Sequence, residues 1–187
     1  MLNKLLAGIL LACASSVACA DQKQFDMREI EASTSPGAHV AVVAPPAEDT
    51  RINEQDMSVE TLERLFRSAF FKTSQEGENG LVVQVSADRS VRIHIDRQHN
   101  LLFFFKVFGF KGGAEQSRRI DLANRINNSV ILVRASVPDD HTDSLVLDYY
   151  LSYQEAVLAY QVVNAARDFS DVAVKAVNQF DSDDIIE

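Results

Sequence analysis

From Asp56 onward the chain moves between two rhythms of apolar and polar residues. In "DMSVETLERLFRSAFF", Val59, Leu62, Leu65, Phe66 and Ala69 recur every three or four positions. That spacing predicts an amphipathic helix running to about Phe71. Ser58 stands where an N-cap belongs, and Glu60 lies in the first turn, where the helix dipole favours an acid. "KTSQEGENG" breaks the helix, and Asn79-Gly80 marks a turn. The period then changes to two. "SVRIHID" places Val91, Ile93 and Ile95 on one side of a strand and Arg92, His94 and Asp96 on the other. "LVVQVS" (81–86) precedes it and "LLFFFKVF" (101–108) follows. The links Ala87–Arg89 and Arg97–Asn100 are too short for a parallel crossover, so the three strands form an antiparallel meander.

Gly112 and Gly113 close this run. Glu115 opens a second helix, with Leu122, Ala123 and Ile126 as its apolar face and Asn127-Asn128 at its end. "SVILVRASV" and "SLVLDYYLS" read as two more strands, joined by "PDDHTD". Ser152 with Glu155 three residues on reads as a capping box that starts the last helix. The predicted order is α-β-β-β-α-β-β-α. This is an α+β domain over residues 56–180, with helices on one face of a five-stranded antiparallel sheet. Residues 21–55 read as a poorly ordered leader and linker, and 181–187 as an acidic, frayed tail.

The phenylalanine strand is apolar on both sides. Leu101, Phe103, Phe105 and Val107 fall on one face, and Leu102, Phe104, Lys106 and Phe108 on the other. Phe103 and Phe105 are expected in the helix-packed core. Phe104 and Phe108, around Lys106, are then left needing a cover. The run is far shorter than the roughly twenty residues of a membrane span.

Composition changes the picture at the N-terminus. Lys4 is followed by the uncharged "LLAGILLACASSVACA", with small residues at Ala18 and Ala20. This predicts a secretory signal over residues 1–20, cleaved before Asp21, and a periplasmic or secreted product with no stable membrane insertion afterwards. A lipoprotein box ending at Cys13 is the looser alternative. The two cysteines, Cys13 and Cys19, both lie in this segment. The mature chain would therefore hold no disulfide and no cysteine chemistry. The formal charge of −9 argues against nucleic acid and anionic lipid as main partners.

Candidate chemistry is sparse. His94 and Asp96 share a strand face but lack a third metal ligand. No G-x-S-x-G and no Walker spacing occurs, and Gly109 to Gly113 reads as a strand-to-helix turn rather than an anion cradle. No cofactor is implied and no enzyme activity is expected. Asn124 and Asn127, one turn apart, read as a structural pair that holds the helix end.

"NLLFFFKVFGF", "DLANRINNSVILVRASVPD" and "SLVLDYYLSYQEAVLAYQVVNAARDF" together resemble the YbjN-like family, to which a role in bacterial sensory transduction regulation is ascribed. The resemblance covers roughly residues 58–180, with Asn124 and Asn127 as the matching N-x-x-N pair. It implies no catalytic residues, and an architecture similar to type III secretion chaperones, small acidic α+β proteins that often dimerise and bind other proteins. The export signal and leader depart from the family's common form. The expected function is an exported, non-catalytic interaction or regulatory protein that binds a protein partner or forms a homodimer. Its candidate partner face comprises Phe104, Phe108, Arg92, His94 and Tyr150. A carrier of small apolar ligands or lipid, with a phenylalanine-lined cavity, is the alternative.

Overall fold

The structure, a computed structural model, describes residues 50–187. The segments expected to be a signal and a leader, as far as residue 49, lie outside the described residues, and both cysteines with them. The first element is β1 (Arg51–Asn53), followed by a 3-10 turn (Glu54–Asp56) and α1 (Val59–Ser68). Ser58 caps α1 through its Oγ, which accepts the Thr61 N–H at 3.1 Å. Then come β2 (Lys72–Glu76), β3 (Gly80–Gln84), β4 (Ser90–Asp96) and β5 (Leu101–Gly109). The chain continues through α2 (Gln116–Ser129), β6 (Arg134–Ser136), β7 (Ser144–Ser152), β8 (Ala156–Leu158) and α3 (Ala159–Phe180).

The main sheet has six strands in the order β2-β3-β4-β5-β7-β6, each pair antiparallel. Helices α1 and α3 pack on one of its faces, and α2 packs beside α3 against β6. Leu81, Val83, Val91, Ile93, Ile95, Leu102, Phe104, Leu145 and Leu147 meet Leu62, Phe66, Val162 and Ala173 there, all nearly inaccessible to water.

Several expectations are corrected. The sheet has six strands rather than five, because "KTSQE" turns back at Gly77 and pairs with β3 from Lys72↔Gln84 to Glu76↔Gly80. Its residues are polar because it is an edge strand, where charge discourages pairing with another chain. Arg51–Asn53, read as part of the linker, form a strand, because β1 pairs with β8 (Ile52↔Val157) and both apolar partners enter the core. Ser152 and Glu155 do not form a capping box. Ser152 ends β7, Glu155 takes φ +64°, and β8 intervenes. The last helix starts at Ala159, where Gln161 Oε1 accepts the Leu158 N–H at 3.3 Å.

Helix α1 ends in a Schellman turn. The Phe71 N–H donates to Phe66 O at 2.9 Å, and the Phe70 N–H to Arg67 O at 3.0 Å. Phe70 therefore takes φ +65°, a position that usually holds glycine, and its ring is 79% exposed.

Candidate functional site

Strand β4 fixes which side of the sheet is which. Val91, Ile93 and Ile95 are buried under the helices, so Arg92, His94 and Asp96 point the other way. The hairpin to β5 holds its register through Asp96. Its Oδ1 accepts the N–H groups of Gln98 (3.0 Å) and His99 (3.1 Å), and its Oδ2 meets His99 Nδ1 at 2.7 Å. The His99 hydrogen bond holds the Asp96 carboxyl below its ordinary pKa. Asn100 closes the loop at φ +55°, which asparagine tolerates. Asp96 thus pairs with Leu101, Ile95 with Leu102, His94 with Phe103, Ile93 with Phe104 and Arg92 with Phe105.

Residues directly opposite each other share a face. The assignment of the phenylalanines is therefore the reverse of the one expected. Phe104 is completely buried among the helix-side residues and is not part of a partner face. Phe108 lies on the same side near the sheet end, half-buried against the core, with Lys106 Nζ 5.3 Å from its ring centroid. Burial, and then the charge of Arg89, pushes the Lys106 ammonium pKa down. Phe103 and Phe105 belong to the open side instead.

On that open side the aromatic rings run as a row. Phe105 stacks on Phe103 at 5.0 Å between centroids, and Phe103 on Tyr150, its cross-strand neighbour, also at 5.0 Å. Offset stacks of this kind are favourable beyond the area they bury. Next to the row is a charged clamp. Asp148, 2% exposed, faces Phe105 on one side and Arg134 on the other. Arg134 Nε and Nη2 both donate to its carboxylate, at 3.0 and 2.9 Å. Arg134 Nη2 also donates to Tyr150 Oη at 2.8 Å, and the guanidinium sits 5.3 Å from the Tyr150 ring. Burial, and then the charge of Asp148, raises the Tyr150 phenol pKa. At the other end Arg92 pairs with Glu76 at 3.2 Å, and His94 is exposed beside Phe103.

Of the expected face residues, Arg92, His94 and Tyr150 are brought together here, while Phe104 and Phe108 lie across the sheet. Phe103, Phe105, Arg134 and Asp148 are members that pattern reading missed. One signal was visible: a lone aspartate inside "LVLDYYL" must be paired if the strand is buried. Asn127 has a different task. Its amide donates to Ala135 O at 2.9 Å and accepts the Ala135 N–H at 2.7 Å, taking the place of a neighbouring strand along the outer edge of β6. Asn124 is exposed, and its side chain makes no hydrogen bond among the described residues. Among those residues no three His, Cys, Asp or Glu side chains converge as a metal site, and no helix is long and apolar enough to cross a membrane.

No protein-family model matches the chain, and no curated protein sequence matches it. Its fold is similar to that of YbjN from E. coli, described as a proposed transcription regulator. The crystal structure of that protein aligns with a TM-score of 0.57 at 18% sequence identity, covering 70% of this chain and 96% of that one. The chain thus has a YbjN-like fold, as "NLLFFFKVFGF" and the segments after it led us to expect.

Proposed function

We propose that the chain is an exported, non-catalytic regulatory protein that works through its open sheet face, by pairing with a second copy of itself. The observation behind this reading is the uncovered aromatic row Phe105-Phe103-Tyr150. Half-exposed stacked rings set among fixed charges have the make-up of a protein interface. Charge favours a second copy as the occupant. The chain as a whole carries −9, which repels its own kind. On this face Lys72, Arg92 and Arg134 balance Glu76, Asp96 and Asp148, so two copies can meet there without like-charge repulsion. The regulator described for YbjN supports a regulatory role, and the acidic balance argues that it acts through protein rather than nucleic acid.

A carrier of apolar ligands draws less support. A mainly apolar cavity between Leu132, Tyr149, Ala165, Asp168 and Phe169 measures about 70 Å³. Ligand sites usually need about 300 Å³ or more.

In sedimentation velocity the unmodified protein is expected to be a dimer at high micromolar concentration. Phe103→Asp is expected to be a monomer with unchanged far-UV circular dichroism, because the new charge faces its own symmetry mate. A monomeric unmodified protein would sink the proposal. Export has its own check. Protein recovered from its own cells should begin at Asp21 by intact mass, and a chain that keeps Met1 would remove export from the reading.

A further inference from the structure

Strand β5 runs on after its neighbour has stopped. The β4–β5 pairing ends at Arg92↔Phe105, while β7 continues alongside to Gly109↔Ser144 and Phe110 donates its N–H to Asp143 O at 2.8 Å. The β4 side of Gly109–Lys111 is therefore an open sheet edge, and the segment after α3 fills it. Phe110 and Ile186 form an antiparallel bridge. The Lys111 N–H donates to Ile185 O at 2.8 Å, and the Glu187 N–H to Gly109 O at 3.0 Å. Ile185 and Ile186 are buried, at 6% and 8% exposure. Of residues 181–187, expected to fray, Ile185–Glu187 are thus docked through a single β-bridge, after a turn in which the Asp181 carboxylate accepts the Ile185 and Ile186 N–H groups, each at 2.9 Å.

Two kinds of contact hold the segment. The bridge and the isoleucines are buried, while the polar side-chain contacts lie nearer the surface, among them Arg125 Nη1 donating to Ser182 Oγ at 2.6 Å. Lys111 Nζ meets Asp184 Oδ1 at 2.7 Å, with the aspartate 88% exposed, and Arg125 Nη2 meets Asp183 Oδ2 at 3.2 Å. Exposed pairs contribute little to stability. Asp184 also sits in the left-handed region, at φ +51°. A segment fixed to the rest of the fold by one bridge, two isoleucines and the side chains of Lys111 and Arg125 can open without unfolding the sheet.

We infer that this edge is a docking site for an extended strand of a partner protein, held in reserve by the chain's own segment. The occupant now in place states the chemistry required. Ile186 lies opposite Phe110 and Ile185 is buried beside it in sequence, an acid before them meets Lys111, and main-chain hydrogen bonds go to Gly109 and Lys111. This is recognition by strand addition, in which the backbone supplies affinity and alternate side chains supply specificity.

The probe is a synthetic peptide of residues 181–187, used with the full chain and with a full-chain Ile185→Ser/Ile186→Ser variant whose segment is released. A competing internal strand lowers apparent affinity by the fraction of time it is docked, so the variant should bind the peptide about tenfold more tightly or better. A peptide with both isoleucines replaced by serine should not bind. A folded variant that ignores the peptide overturns the proposal. So does a concentration-dependent dimer of the unmodified chain that Ile185→Ser/Ile186→Ser abolishes, which would make a second copy the strand donor. Should the variant not fold, hydrogen exchange on the unmodified chain decides. The amides of Lys111 and Glu187 should exchange about a hundredfold faster than those of β5 and β7. Exchange only with global unfolding would show that the segment is not displaceable.

Discussion

Phe104→Ala is expected to destabilise the domain by about 3–5 kcal/mol, while Phe103→Ala, one residue away, costs about 1 kcal/mol. Phe104 is fully buried opposite Ile93, with Tyr149 at 5.9 Å between ring centroids. Removing its ring loses the transfer free energy of the side chain and leaves a cavity that the β4–β5–β7 backbone cannot collapse to fill. Phe103 loses only two half-exposed stacks, on Phe105 and Tyr150. Domains of this size are stable by about 5–15 kcal/mol, so the first change removes a large share of the total and the second does not. Denaturant titration of both variants checks this. The Phe104→Ala midpoint should fall steeply at constant slope, and the Phe103→Ala midpoint should move little. Equal losses would mean that the two faces are assigned wrongly.

The contrast also shows where sequence reading reached its limit. The alternation of "SVRIHID" is one-sided, so its buried face was legible. The phenylalanine strand is apolar on both sides, and its own pattern carries no information about which side is buried. That choice is made by register, and register by the hairpin. Four residues, Arg97–Asn100, separate Asp96 from Leu101, and the Asp96 carboxylate ties the loop shut. Once Asp96 is opposite Leu101, Phe104 must lie beside Ile93. The loop length was visible in the sequence, but the tie through Asp96 was not. Strands β1 and β8 were illegible for another reason. Each has three residues, and each is stabilised by a partner about a hundred positions away rather than by local propensity. Glu54 adds to that link, its Oε2 accepting the Glu155 N–H at 3.1 Å and its Oε1 accepting from Asn100 Nδ2 at 2.9 Å. The docked segment was hidden by composition. Its acids suggested solvation, yet the Ile185-Ile186 pair among them was the part that decided its fate.

The clamp beside the aromatic row gives the other large effect. Arg134→Met is expected to destabilise the protein by about 1–3 kcal/mol at neutral pH, because it leaves the buried Asp148 carboxylate without its partner, while the exposed side of the guanidinium is already screened by water. The double variant Arg134→Met/Asp148→Leu should recover most of that loss, since it removes the charge as well as its partner. The pH dependence follows from the direction of the Asp148 shift. Burial pushes its pKa up, and the two hydrogen bonds and the charge of Arg134 pull it only part of the way back. The same contact raises the pKa of the arginine, which stays protonated throughout the working range, so the aspartate alone titrates. A carboxyl whose folded pKa exceeds its unfolded value of about 3.8 binds its proton more tightly in the native state. Its contribution therefore becomes more favourable as pH falls through the folded pKa, is complete below the unfolded one, and is lost as pH rises above the folded pKa. Without Arg134 the folded pKa rises further and the window widens. The loss caused by Arg134→Met should thus shrink as pH is lowered from 7 towards 4, relative to the unmodified protein. Thermal melts of both proteins across that range test it. A loss that stays constant with pH would mean that Asp148 remains ionised without its arginine, with water rather than protein around it.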